Sequence, residues 1–302
     1  MTQVSPLESV SRNAPLGLRF WDTAMATSTV YGLHVEVFSR HNPRARTIAS
    51  INRSGVYVAH RLPLSFPPPS PRAFEFSDSE PDVLSPAVTR SYRVEVNDPD
   101  GRFLPIAFDA DLPARGLLTW RAPFLSPPQP VALPGEPGSP PPLLIERVPL
   151  FSAPSRPVPD PLAVVYAQIR ELGTGRDAAW SLLTVAIDGV VRGVGLADAQ
   201  GRIAVLFPYP EPPRMSLASP PEARNDFTWQ LELSAFWLSA SPPSAVPAFA
   251  DLADVFASLS TPRTVIESMV SPALPLRLTY REALTARTAG ATGADASLLF
   301  VS

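Results

Sequence analysis

At 302 residues the chain has room for two domains of roughly 100–200 residues, with a sizeable buried core. Its 45% hydrophobic and 18% charged content excludes a wholly disordered chain, and its 39 prolines disfavour helix bundles, coiled coils and Rossmann-type sheets, because proline lacks the N–H and clashes with the preceding turn. With no cysteine and all 25 basic residues arginine, disulfides, thiolate metal sites and lysine Schiff bases are excluded; the net charge of −3, with acids between scattered arginines, leaves no basic patch for nucleic acid.

Residues 1–14 are polar and lack an apolar h-region, so no secretory signal is expected and synthesis is expected to be cytoplasmic. No apolar run approaches ~18 residues, so membrane insertion is not expected. Short β-like runs then follow one another: Leu18–Trp21, Leu33–Phe38, Val56–Ala59, Ala73–Phe76, Tyr92–Val96 and Phe103–Phe108. Several alternate with period 2, as do Val35 and Val37, or Val94 and Val96. A proline cluster at Pro67–Pro71 links strands within this first part. Residues 122–142, dominated by proline and glycine, read as a semi-rigid polyproline II linker.

Beyond the linker the β pattern resumes at Ala163–Ile169, Trp180–Ile187, Val190–Leu196 and Ile203–Phe207. Asp188-Gly189 signals a hairpin between the second and third of these runs, so that a three-stranded meander is expected. In Phe227–Leu238, alternation places Phe227, Trp229, Leu231, Leu233 and Trp237 on one face. Phe249, Leu252, Phe256 and Leu259 share a helical face, and Thr261-Pro262 reads as an N-cap followed by a first-turn proline, predicting a second short helix through Met269. Leu274–Tyr280 and Ser297–Val301 are the last strand candidates; the terminal one either completes its own sheet or pairs with a neighbour's.

Three places repeat one turn: Asn52-Arg-Ser-Gly55, Asp98-Pro-Asp-Gly101 and Asp198-Ala-Gln-Gly201. An Asn or Asp side chain accepts from the backbone two residues on, and glycine takes the positive φ that ends the turn. Residues 55–63 and 201–208 then run in parallel, from glycine through an apolar alternation to Leu-Pro or Phe-Pro. Over residues 17–63 and 180–210 this resembles carboxypeptidase-regulatory-like (prealbumin-like) β-sandwich modules. The resemblance implies a non-catalytic accessory module and carries over no catalytic residue. A second resemblance, on Arg102-Phe-Leu-Pro105, Phe151-Ser-Ala-Pro-Ser-Arg156 and Gly195-Leu-Ala-Asp-Ala-Gln-Gly-Arg202, is to accessory proteins of phage-tail-like contractile injection systems. It implies a place in a released particle.

The fold expected is therefore mainly β: two immunoglobulin/prealbumin-like β-sandwich domains, at 1–121 and 143–302, joined by the 122–142 linker. The second carries a short helical insertion, with helices near 248–270. No catalytic, cofactor or metal site is expected. Of three histidines, His34 and His60 fall in or beside strands, and a metal pair would need them on adjacent strands. Gly193-Val-Gly195 lacks the third glycine of a dinucleotide loop. Asn97–Gly101 lacks the carboxylates of a calcium loop at its first and twelfth positions, and the acidic stretch 75–82 reads as a solvated loop. The expected function is that of a structural or adaptor protein whose partners are other proteins of a multiprotein assembly. One alternative is a carbohydrate- or surface-binding module pair in which Trp229 and Trp237 stack sugars. The other is a hydrolase whose two carboxylates come from distant positions.

Overall fold

The computed structural model describes residues 16–25, 30–60, 62, 90–112, 120–121, 144–145, 147–210, 227–238, 246–269, 276–291 and 298–301. The expected strand at Ala73–Phe76, the proline cluster at Pro67–Pro71, the acidic stretch 75–82 and the linker 122–142 lie outside them.

The first half forms β1 (Leu16–Leu18), β2 (Phe20–Asp22), β3 (His34–Ser39), β4 (Asn42–Ile48), β5 (Ser50–Ile51), β6 (Tyr57–Ala59), β7 (Arg90–Asn97), β8 (Ile106–Leu112) and β9 (Trp120–Arg121). After it come β10 (Leu144–Ile145), β11 (Val148–Leu150), β12 (Leu162–Glu171), β13 (Leu182–Ile187), β14 (Val190–Leu196), β15 (Arg202–Pro208), β16 (Thr228–Gln230) and β17 (Glu232–Phe236). The chain continues through β18 (Ala250–Asp251), α1 (Leu252–Ala257), a 3-10 turn at Ser258–Ser260, β19 (Pro262–Ile266), β20 (Arg277–Thr279), β21 (Leu284–Thr285) and β22 (Leu298–Val301). The molecule is thus mainly β, with several sheets and, among the described residues, one short α-helix.

A five-stranded sheet runs β18-β8-β7-β3-β4. Its central strands alternate as their sequences predict. Val35, Val37, Tyr92, Val94, Val96, Ile106 and Phe108 are buried in one core, where they meet β1 and β6 of a separate three-stranded sheet. The opposite face is charged. Arg46 reaches Glu36 at 2.5 Å and Glu95 at 2.6 Å, and Arg93 lies between Asp109 and Asp251. A hydrogen bond with His34, then one from Arg46, holds the Glu36 carboxyl below its ordinary range.

A second, larger sheet follows the path β14-β13-β17-β19-β22-β12-β15, with β21 beside β12. It curls until its first and last strands face each other. A Cβ on Gly193 would stand 2.8 Å from Phe207, and one on Gly195 would stand 2.9 Å from Val205. These glycines therefore mark a close approach of two layers around the core of Val165, Ile169, Val185, Val205, Phe207 and Leu233. β13 serves both cores, through Leu182 on one side and Leu183 and Val185 on the other.

Two short segments of the second half enter the sheets of the first. β11 pairs in parallel with β2, Val148 opposite Phe20, and β18 pairs in parallel with β8, Ala250 opposite Ile106. Leu252 and Val255 of α1 are buried in the same core.

Two expectations are corrected. The helix expected through Thr261–Met269 is strand β19 over Pro262–Ile266, held between β17 and β22, because β-branched Thr264, Val265 and Ile266 favour extended backbone and Pro262 sits where a strand begins. The meander expected over 182–208 is a β13–β14 hairpin followed by a crossing of layers: β15 bonds to β12, not to β14. His34 opens β3 and His60 follows β6, in different sheets, so they do not stand on adjacent strands as a metal pair would need. Terminal β22 lies inside its own sheet, between β12 and β19.

Candidate functional site

The three recurrent turns share one geometry. Gly55, Gly101 and Gly201 have φ of 73°, 66° and 73°. Each glycine N–H donates to the carbonyl of Asn52, Asp98 or Asp198, at 3.1, 3.0 and 3.0 Å. Each Asx side chain also accepts from the backbone two and four residues on. Asn52 Oδ1 takes Ser54 and Val56 N–H, Asp98 takes Asp100 and Arg102, and Asp198 Oδ1 takes Gln200 and Arg202. The first two turns close hairpins β5–β6 and β7–β8, whereas the third carries the chain from β14 to β15.

Sequence reasoning missed the arginine that follows the glycine in both Asp copies. Arg102 binds Asp98 through Nε at 3.0 Å and Nη2 at 2.9 Å, and Arg202 Nε binds Asp198 at 2.8 Å. Burial pushes the Asp98 carboxyl up, but the Arg102 side chain, backbone N–H and charge, with the Asp100 N–H, outweigh it and leave the group below its ordinary range. The signal was present in the sequence: the neutral Asn52 copy has Val56 at that position and needs no counter-charge. All six turn residues are thereby occupied with local bonds, and they frame strands.

A different constellation is open to solvent. Where β12 begins, β15 ends and the chain turns from β20 to β21, a cleft of about 460 Å³ opens. Val158, Pro159, Leu162 and Val164 line it, with Tyr209 and Ala283. Asp160, Arg281 and Glu282 supply its charge. Register brings these distant stretches together, since Leu162 pairs with Pro208 and Val165 with Leu284.

Tyr209 joins the cleft to a cluster of aromatic rings. Its centroid lies 4.8 Å from that of Tyr280 and 5.7 Å from that of Trp229, and Phe227 lies 6.5 Å from both Trp229 and Tyr280. The β16–β20 pair sets this cluster: Trp229 is opposite Leu278, and the Tyr280 N–H donates to Phe227 O at 2.9 Å. The Tyr209 hydroxyl accepts the Arg281 backbone N–H at 2.9 Å, fixing a residue whose φ is 64°. The Arg281 guanidinium lies 5.4 Å from the Tyr280 ring centroid. Burial raises the Tyr209 hydroxyl pKa despite that N–H bond.

Of the alternation Phe227–Trp237, only the first part reaches this surface. Leu231, Leu233 and Trp237 are buried, and Trp237 Nε1 donates to Ala179 O at 3.2 Å, so the two tryptophans do not form one platform. Among the described residues no three His, Asp or Glu side chains form a metal-binding group, and no helix is long and apolar enough to cross a membrane. No protein-family model matches the chain, and no match was found among curated proteins.

Proposed function

We propose that the chain is a non-catalytic structural or adaptor protein that docks on other proteins within a larger assembly, a phage-tail-like contractile injection particle being the context that the sequence resemblance suggests. The observation that carries this reading is the cluster of Tyr209, Phe227, Trp229, Tyr280 and Arg281 beside an open cleft. Tryptophan, tyrosine and arginine are the residues that dominate binding hot spots. Here Trp229 lies on β16 and the other four stand just beyond the ends of β15, β16 and β20, which limits the freedom lost on docking. Immunoglobulin-like sandwiches would serve as the rigid frame.

The test is native affinity capture with the full chain and with a Tyr280→Ala/Arg281→Ala variant. The parent should recover a defined, stoichiometric set of proteins, and the variant should recover about tenfold less at an unchanged melting temperature. Equal recovery by both would remove the cluster from the docking surface. Recovery of no protein, together with substrate turnover by the purified chain, would replace the adaptor with an enzyme. Deleting residues 143–302 is a poor substitute, because it strips β11 and β18 from the first half's sheets.

Trp229 and Tyr209 beside the Asp160 and Glu282 carboxylates favour a second reading, a carbohydrate-binding surface. Binding of a defined glycan on an array, lost in Trp229→Ala, would put this reading first.

A further inference from the structure

The cleft's chemistry narrows what it takes. It lies on the outward face of β12 and β15, where Leu162 and Val164 point away from the core that holds Ala163 and Val165. Its lining is about equally polar and apolar, and the Tyr209, Tyr280 and Trp229 rings meet at angles, with Tyr209 edge-on to Tyr280 at 65°. A ridge of tilted rings beside the Val158, Pro159 and Leu162 side of the cleft offers packing faces to proline rings, and the acids at its polar side offer acceptors to a cation. Asp160 and Glu282 are exposed, and among the described residues neither carboxylate has a hydrogen-bond or ion-pair partner. Among the described lining residues the one cation is Arg281, whose guanidinium lies over the Tyr280 ring and makes no ion pair with either acid. The charge left to be complemented is therefore negative.

Resting on the docking reading, we infer that this cleft binds an extended, proline-rich segment of a partner protein that carries an arginine. A polyproline II segment has no internal hydrogen bonds and little conformational freedom to lose, and its rings pack on aromatic grooves. The arginine supplies forked donors that match a carboxylate, which sets direction and specificity. Asp160 and Glu282 are then the specificity residues, and Tyr209 and Tyr280 the packing residues.

The probe is a fluorescently labelled Pro-Pro-Leu-Pro-Pro-Arg peptide, titrated with the full chain by anisotropy beside a control ending in glutamate. The arginine peptide should bind saturably, at least about tenfold tighter than the control, with affinity falling as salt rises. Asp160→Asn/Glu282→Gln, two near-isosteric changes at exposed positions, should erase the preference for arginine while the melting temperature holds. Tyr280→Ala should abolish binding of both peptides. Equal binding of the two peptides, or binding of neither, overturns the proposal, as does a neutral oligosaccharide that binds in a Trp229-dependent way while the peptides do not. If the peptides fail but native capture still depends on Tyr280 and Arg281, the adaptor reading survives and this ligand class falls. If the arginine peptide binds but capture recovers nothing, the ligand class stands and the adaptor reading falls.

Discussion

Gly101 and Gly201 occupy the same step of the same turn, yet their surroundings differ. Both have positive φ, so any side chain there is strained. A Cβ at Gly101 would meet nothing within 4 Å, whereas one at Gly201 would stand 2.6 Å from the Ile169 carbonyl oxygen and 3.2 Å from the Ala178 nitrogen. Those atoms belong to a bonded arrangement in which the Ile169 N–H donates to Gly201 O and the Ala178 N–H to Ile169 O. Gly101→Ala should therefore cost about 1 kcal/mol, from backbone strain alone. Gly201→Ala should cost roughly 1–3 kcal/mol more, because backbone has to move. Urea midpoints of the two variants check this; equal shifts would mean that strain dominates at both and the contact at Gly201 relaxes freely. The arginines beside these glycines show the same dependence on context. Arg202 is 59% exposed and still clasps Asp198, so exposure alone is a poor guide to whether a side chain is engaged.

At the scale of elements, the stretch from Ala250 to Ile266 shows how one residue can tie a short helix to a distant sheet. A helix of six residues has little stability of its own. Asp251 Oδ1 caps it by accepting the Ala253 N–H at 2.9 Å, while Oδ2 accepts from Arg93 of β7 at 2.5 Å. One carboxylate thus orients α1 and fastens it beside the five-stranded sheet. Asp251→Ala should lose the cap, worth about 1 kcal/mol, together with a part-buried ion pair, for a total of about 1–2 kcal/mol. Asp251→Asn should lose about half as much, because its amide oxygen can still cap. Thermal or urea unfolding separates these outcomes, and a double-mutant cycle with Arg93→Ala isolates the pair.

Across the whole molecule, the N-terminal strands and the middle of the chain are joined by a buried charge pair as well as by β11. Arg156 grips Asp22 with two donors, at 3.1 and 2.6 Å, and donates to Ser152 Oγ at 2.9 Å. Asp22 also accepts the Ala24 N–H at 2.9 Å, and the guanidinium faces the Phe103 ring at 4.9 Å. Both side chains are more than nine-tenths buried, so neither charge has water to fall back on. Arg156→Met should destabilise by roughly 3–5 kcal/mol, because it strands the Asp22 carboxylate. The double change Asp22→Leu/Arg156→Met should recover most of that loss. A double variant no more stable than the single one would show that the hydrogen bonds to Ser152 and Ala24 carry the stability, rather than relief of the stranded charge.

What the sequence determined by itself is local. Period-2 alternation identified strands such as β3 and β7, because a half-buried strand writes its pleat directly into side-chain polarity, whereas β13, buried on both faces, was legible only as an apolar run. The Asx-x-x-Gly spacing predicted the three turns, because a side-chain acceptor and a positive φ act within five residues. The layer crossing after β14, the strand at Pro262–Ile266 and the insertion of β11 and β18 into the first half's sheets are tertiary decisions. Each depends on which strand edge or core surface is available far along the chain, and local propensity does not encode that. The cleft is the clearest instance. Phe227, Trp229 and Tyr280 were visible as strand-face aromatics, but Asp160, Tyr209 and Arg281 gain meaning only when β12 takes β15 on one edge and β21 on the other. Pairing register, set by burial of the opposite face of those strands, is the physical reason that these side chains meet.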